Sequence, residues 1–184
     1  AIPLQYLHEP DLFFPYERLI ELLDASARDS AHPSFGAELG LLQGLDILGP
    51  IAYLMRSSTT LADALLGLSR HLHLHNSGAR VRLEVHGNTG LLLYDVSVKT
   101  AVPTRQAVEL AVAIGYVMIR TLAGRNWAPR DCVFQHAPLA DLPAYRRIFG
   151  ITPRFNGEFN GYAVDARLLG LPLSSADRAL HDLM

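Results

Sequence analysis

Cysteine is almost missing: Cys132 is the only one in 184 residues. An intrachain disulfide is therefore excluded, and a cysteine-built zinc site lacks ligands. Charged residues are scarce at 18%, and they nearly cancel, to a net −2. No general attraction for nucleic acid or an anionic membrane follows. Charges or turn residues break every apolar stretch before the ~18 residues that a membrane span needs. The chain opens without the apolar segment of a secretory signal. No G-x-G-x-x-G or Walker A loop occurs, which argues against Rossmann and P-loop folds. No G-x-S-x-G elbow occurs either, so nucleophilic hydrolysis has no visible apparatus. The expectation is a soluble cytoplasmic protein that is not an enzyme and carries no cofactor.

What the chain does have is hydrophobicity: 49% of residues are apolar. That suits one domain spanning 1–184, with a sizeable core or some apolar surface kept for a partner. Prolines at 3, 10 and 15 make residues 1–14 irregular. Leu19, Ile20, Leu22 and Leu23 recur at helical spacing, predicting a helix over 16–28. His32-Pro33-Ser34 is a break, with Ser34 placed to cap a short helix ending at Leu42. A helix over 48–55 follows the Gly49-Pro50 punctuation. Thr60 and Asp63 resemble a capping box ahead of a helix whose Leu61, Ala64, Leu65, Leu68 and Leu72 share one face. Asn76 and Gly78 end it.

The period then changes from helical to alternating. Val81, Leu83 and Val85 alternate with charged residues, and Leu92, Tyr94, Val96 and Val98 share a face, predicting a hairpin about the turn at 87–90. Residues 104–122 form a helix apolar almost all round, which must be covered on most sides. A strand over 131–136, a helix over 142–149 stopped by Gly150, and a second small hairpin about Asn156-Gly157 follow. Ser174 or Ser175 caps a last helix. Hairpins and runs of helices, rather than strict β-α alternation, indicate an α+β fold on a mainly antiparallel sheet.

Candidate chemistry is sparse. His71 and His75 stand at i and i+4, a spacing that suits metal ligands, but no third ligand is apparent; a helix end carrying histidines is the simpler account, and no metal site is expected. Cys132 lies in an alternating strand and is expected in the core rather than as a nucleophile. Asp95 and Glu109 are the acids inside strongly apolar segments. Glu109 follows Arg105 by one turn, so a surface ion pair is expected there. Arg80, Arg82, Arg146 and Arg147 are expected on solvated faces, and no basic recognition helix is visible. Tyr53, Met55, Arg56, Tyr94, Tyr116, Arg120, Trp127, Phe134 and His136 are the candidates for ligand binding. Their residue types suit an apolar pocket with a few placed polar groups, or equally an ordinary core edge.

Several segments carry a resemblance. His32-Pro33-Ser34-Phe35-Gly36-Ala37-Glu38-Leu39-Gly40 comes first. Leu48-Gly49-Pro50 and the stretch through Ser58, with Thr60-Leu61-Ala62-Asp63-Ala64-Leu65, comes next. Arg105-Gln106-Ala107-Val108-Glu109 opens the long helix. Tyr145-Arg146-Arg147-Ile148-Phe149-Gly150 leads to Arg154-Phe155 and Phe159-Asn160. In this order, over about residues 14–184, they resemble the N-terminal sensor, or arabinose-binding, domain of AraC-type transcription regulators. Ala37 and Glu38 depart from the usual Leu and Arg of that pattern.

The resemblance implies a small-molecule effector, a helix-turn-helix DNA-binding part C-terminal to this chain and absent from it, and DNA contact only through that part. Nothing points to a sugar. The expected effector is a largely apolar metabolite, with or without a carboxylate for Arg56 or Arg120 to meet. A homodimer is a further expected partner. A dimerisation module without any ligand is the alternative.

Overall fold

The computed structural model describes residues 13–173. The expectations for 1–12 and for a helix after Ser174 lie outside the described residues. Helix α1 spans Tyr16–Asp29 and α2 Phe35–Leu42. A 3-10 turn at Leu45–Leu48 leads to α3, Pro50–Ser57. The helix expected over 48–55 is thus divided, because Gly49 sits at φ 55° and Pro50 restarts the helix at its first position. Helix α4 is Leu61–His75, strands β1 and β2 are Ala79–His86 and Thr89–Val96, and α5 is Arg105–Ala123. Strand β3 (Asp131–Val133), helix α6 (Leu142–Phe149), strand β4 (Gly161–Asp165) and helix α7 (Ala166–Leu169) complete the described chain. The fold is α+β, as expected.

Local chemistry accounts for several boundaries. Thr60 and Asp63 make the full reciprocal capping box on α4. Replacing Thr60 with alanine is expected to cost about 1 kcal/mol in denaturant melts, since it orphans a first-turn N–H. Asp141 caps α6 through Ala144 N, and Gly150 ends that helix in the left-handed conformation. Ser34 stands at the N-cap of α2 but makes no side-chain cap; its hydroxyl donates instead to Glu38 Oε1 at 2.7 Å. Strand β3 stops at Val133 rather than at His136, and beyond it Phe134 N donates to Arg154 O.

The sheet order is β1-β2-β4-β3, with every ladder antiparallel. The first hairpin closes on the His86–Thr89 pair with Gly87 at φ 58°, the glycine-first pattern of a two-residue II′ turn. The second hairpin does not form. Residues 154–155 build no ladder with β4; Arg154 instead makes one parallel bridge to Val133. The reason is that β4 already has both edges taken, by β2 and β3. The Asn156-Gly157 turn, with Asn156 at φ 55°, serves to lay the following loop against Val133 and Phe134.

Helix α5 is the central element. Against the expectation that charges or turns interrupt every such stretch, it is long and apolar enough by length and composition to cross a membrane, yet most of it is buried inside the fold. On one side it meets α1 and α2. Gly36 and Gly40, four residues apart on α2, let the backbones touch: a Cβ at either would come within 3 Å of the carbonyl oxygen of Gln106 or Leu110. The buried Gln106 amide locks this contact, accepting from Gly36 N at 2.7 Å and donating to Pro33 O at 2.9 Å. On its other side α5 faces the sheet, where the buried Tyr162 hydroxyl of β4 donates to Val112 O.

Candidate functional site

Between this central helix and the sheet the packing is incomplete. A partly open cavity of about 200 Å³ remains. Helix α1 contributes Tyr16 and Leu19, α4 contributes Leu68, Leu72 and His75, and α5 contributes Leu110, Ala111 and Met118. The floor is the face of the sheet carrying Val81, Leu92, Tyr94 and Tyr162, which the registers place on one side. The alternation read in β2 is therefore what points Leu92 and Tyr94 at the helices. Ile47, at 38% exposure, and the exposed His75 stand among the more accessible lining residues.

The walls are mostly apolar, with a few polar groups. Tyr16 and Tyr94 share a hydrogen bond, 2.5 Å between hydroxyls, which joins α1 to β2. Burial raises the pKa of both phenols, most for Tyr94, so the pair is neutral. The Asn76 side chain beside Tyr16 has a smaller, lowering effect on that phenol. Gln43, just past the end of α2, lines the cavity and has a buried Oε1 with no hydrogen-bond partner. Burial lowers the pKa of His75. Among the described residues, no Asp, Glu, Lys or Arg lines the cavity.

The nine candidates from the sequence fall in several places. Tyr94 lines the cavity. Tyr116, Arg120 and Trp127 meet away from it: Arg120 donates to the Tyr116 hydroxyl at 2.8 Å, its guanidinium lies 5.1 Å from that ring, and Trp127 packs 5.9 Å away. Phe134 and His136 join a second aromatic group with Phe155 and Tyr145. Met55 is fully buried in the main core, whereas Tyr53 is 66% exposed. Arg56 pairs with Asp46 at 2.7 Å. Tyr16, Gln43 and Asn76 escaped the sequence reading. They lie at or beside helix ends, where a polar residue looks like ordinary punctuation.

Glu109 is a correction. It is not a surface partner of Arg105 but fully buried. It accepts a hydrogen bond from the Tyr145 hydroxyl, which itself accepts from Leu139 N. His136 Nε2 lies 3.9 Å from its Oε1, and both Glu109 Oε2 and His136 Nε2 are buried without a hydrogen-bond partner. Desolvation pushes the Glu109 pKa up to about 7, against smaller lowering effects from Tyr145 and Arg105. Burial lowers that of His136. The i, i+4 rule failed because α5 is covered by α6 and by the chain after β3, so its 109 face is interior.

The remaining candidates read simply. His71 Nδ1 lies 2.9 Å from Gly67 O, and the described residues hold no cluster of three metal-ligating side chains. Cys132 is fully buried, and burial pushes its thiol pKa well up. Arg82 pairs with Glu84 and Asp95 on the outer face of the hairpin.

A central helix sandwiched between helices and an antiparallel sheet, with a cavity at the junction, is the frame into which the comparisons fit. The model for the N-terminal arabinose-binding domain of AraC transcription regulators matches residues 1–173, and the chain belongs to that family. Among individual proteins, it is 35% identical over 180 residues to the HTH-type transcriptional regulator VirS of Mycobacterium tuberculosis, in two strains. That match covers 96% of this chain but 52% of the relative, so the chain spans about half the length of the curated relatives it matches. The crystal structure of the transcriptional regulator CdpR from Pseudomonas aeruginosa shares the fold, with a TM-score of 0.72 at 18% identity. That match covers 92% of this chain and 61% of the other.

Proposed function

We propose that this domain is a ligand sensor: a small, largely apolar effector occupies the cavity between α5 and the sheet and thereby biases a DNA-binding part of a longer cytoplasmic regulator. The cavity carries the reading. A packed interior leaves few voids larger than a water molecule, so an apolar space of about 200 Å³ in a regulator-family domain is most simply a binding site. Occupancy acts on conformation because the walls come from separate elements. Tyr16 of α1 and Tyr94 of β2 meet across it, so a ligand that favours one spacing of helix and sheet shifts a population. DNA contact belongs to the rest of the regulator, and no reaction is assigned to this domain.

The test is thermal unfolding of the domain against a panel of small apolar metabolites. A ligand present at about 100 times its Kd stabilises by about 2.7 kcal/mol, or roughly 5–10 °C for a domain of this size. Ala111→Leu, which adds bulk to the α5 wall, is expected to abolish that shift while the variant stays folded. A shift that persists undiminished in the variant places the ligand elsewhere.

A dimerisation role is the second reading. It is favoured by large apolar side chains left in solvent, among them Leu42 at 85% and Leu74 at 62% exposure. Sedimentation of the domain with and without ligand separates the two: a ligand-indifferent dimer with no thermal response supports the second.

A further inference from the structure

We propose that the occupant of this cavity is an uncharged molecule, with about eight heavy atoms enclosed, mostly apolar, and one amide or hydroxyl group that hydrogen-bonds the Gln43 amide. The inference rests on the sensor reading above and sharpens it to a ligand class.

Size sets the first limit. A dry apolar cavity of about 150 Å³ holds a benzene ring. A space of about 200 Å³ therefore encloses a ring with a short substituent, or a chain of six or so carbons with its head group. Larger ligands must protrude through the open side.

Charge sets the second limit. Among the described lining residues there is no side chain of fixed charge. The two arginines expected to meet a carboxylate are committed elsewhere: Arg56 to Asp46, and Arg120 to the Tyr116 hydroxyl and ring. The phenols of Tyr16 and Tyr94 stay protonated and bond each other, and desolvation disfavours a charged His75 even though it is among the more accessible lining residues. An ion brought into such walls loses its hydration with no counter-charge to replace it.

Polarity sets the third. Gln43 lines the cavity, yet its buried Oε1 has no partner. An unsatisfied buried carbonyl is costly, and a half-turn about the last side-chain bond presents either end of the amide. A neutral amide or hydroxyl on the ligand supplies the missing donor and accepts from the other end.

The experiment uses isosteric probes at pH 7.5 with the 184-residue domain, read by ligand-detected NMR titration: hexanamide, hexanoate, benzamide, benzoate and the purely apolar ethylbenzene. Hexanamide and benzamide are expected to bind at least about tenfold more tightly than hexanoate and benzoate. Gln43→Leu is expected to weaken the two amides about tenfold while leaving ethylbenzene within about threefold. Retained ethylbenzene binding shows in the same titration that the variant is folded. If the carboxylates bind as well as the amides, or Gln43→Leu leaves the amides untouched, this inference is overturned and the sensor reading stands. If neither ethylbenzene nor the amides bind the wild-type domain, the sensor reading fails with it.

Discussion

Gly161→Ala is expected to be the most damaging single-atom change in the domain, lowering stability by at least about 4 kcal/mol and the melting temperature by more than roughly 10 °C. Two independent penalties meet at this residue. Its φ is 144°, a region that residues with a Cβ rarely enter. A Cβ built there would also lie 1.9 Å from the Leu92 carbonyl oxygen and 3.2 Å from Leu93 Cα. Both contacts are backbone of the neighbouring strand, so no rotamer change relieves them. Gly161 starts β4, which joins β2 to β3, so the strain propagates through the middle of the sheet and under the cavity floor. Gly36→Ala is expected to follow closely, because its Cβ would fall 2.1 Å from Gln106 O and force α2 off α5. Gly44→Ala is the control. It has open space and a negative φ, and should change stability by less than about 0.5 kcal/mol in the same denaturant melts. Gly161→Ala melting within a few degrees of the control would refute the packing argument.

Glu109→Gln is expected to change the pH dependence of stability by about 3 kcal/mol. The folded-state pKa of Glu109, about 7, lies above the ordinary carboxylate value of 4.5. The folded domain therefore holds this proton more tightly than the unfolded chain does. The resulting stabilisation is fully present below about pH 4.5 and is lost progressively as the pH rises to about 7. Glutamine keeps an acceptor for the Tyr145 hydroxyl and cannot ionise. The stability of the variant minus that of the wild type should thus climb between about pH 4.5 and 7 and then level off.

The groups facing Glu109 set the background. Tyr145 is held neutral, since burial and Glu109 itself push its pKa up. Arg105 favours the carboxylate modestly. His136, with its pKa lowered by burial, works in the opposite sense and loses stability as the pH falls, which is why the difference between the two proteins is the quantity to measure. Parallel stability curves for the two proteins across this range would show that Glu109 titrates normally.

Much of the fold was legible because local chemistry is decisive at element ends. The Thr60–Asp63 box, Gly150 after α6 and the first hairpin each act within a few residues of chain and each occurs, although the hairpin turn expected over 87–90 is tighter, with only residues 87 and 88 between the strands. The near-continuous apolar character of α5 correctly implied cover on most sides. The second hairpin failed because Asn156-Gly157 makes a good turn wherever it stands, while pairing depends on which edge of β4 is free. The cavity was legible only in Tyr94. Tyr16 and Gln43 reach it from opposite ends of the α1–α2 segment, and nothing local distinguishes them from other polar residues at helix ends.

The sequence by itself determined the α+β class, the Thr60–Asp63 capping box, the strand alternation that aims Tyr94 inward, and membership of the AraC N-terminal family through motifs spread along the chain. Tertiary structure alone decided that Glu109 is interior, that a gap survives between α5 and the sheet, and that the arginines stand apart from it. The physical reason is range. Capping and periodicity act over about four residues, whereas burial and cavities are properties of how distant surfaces fit.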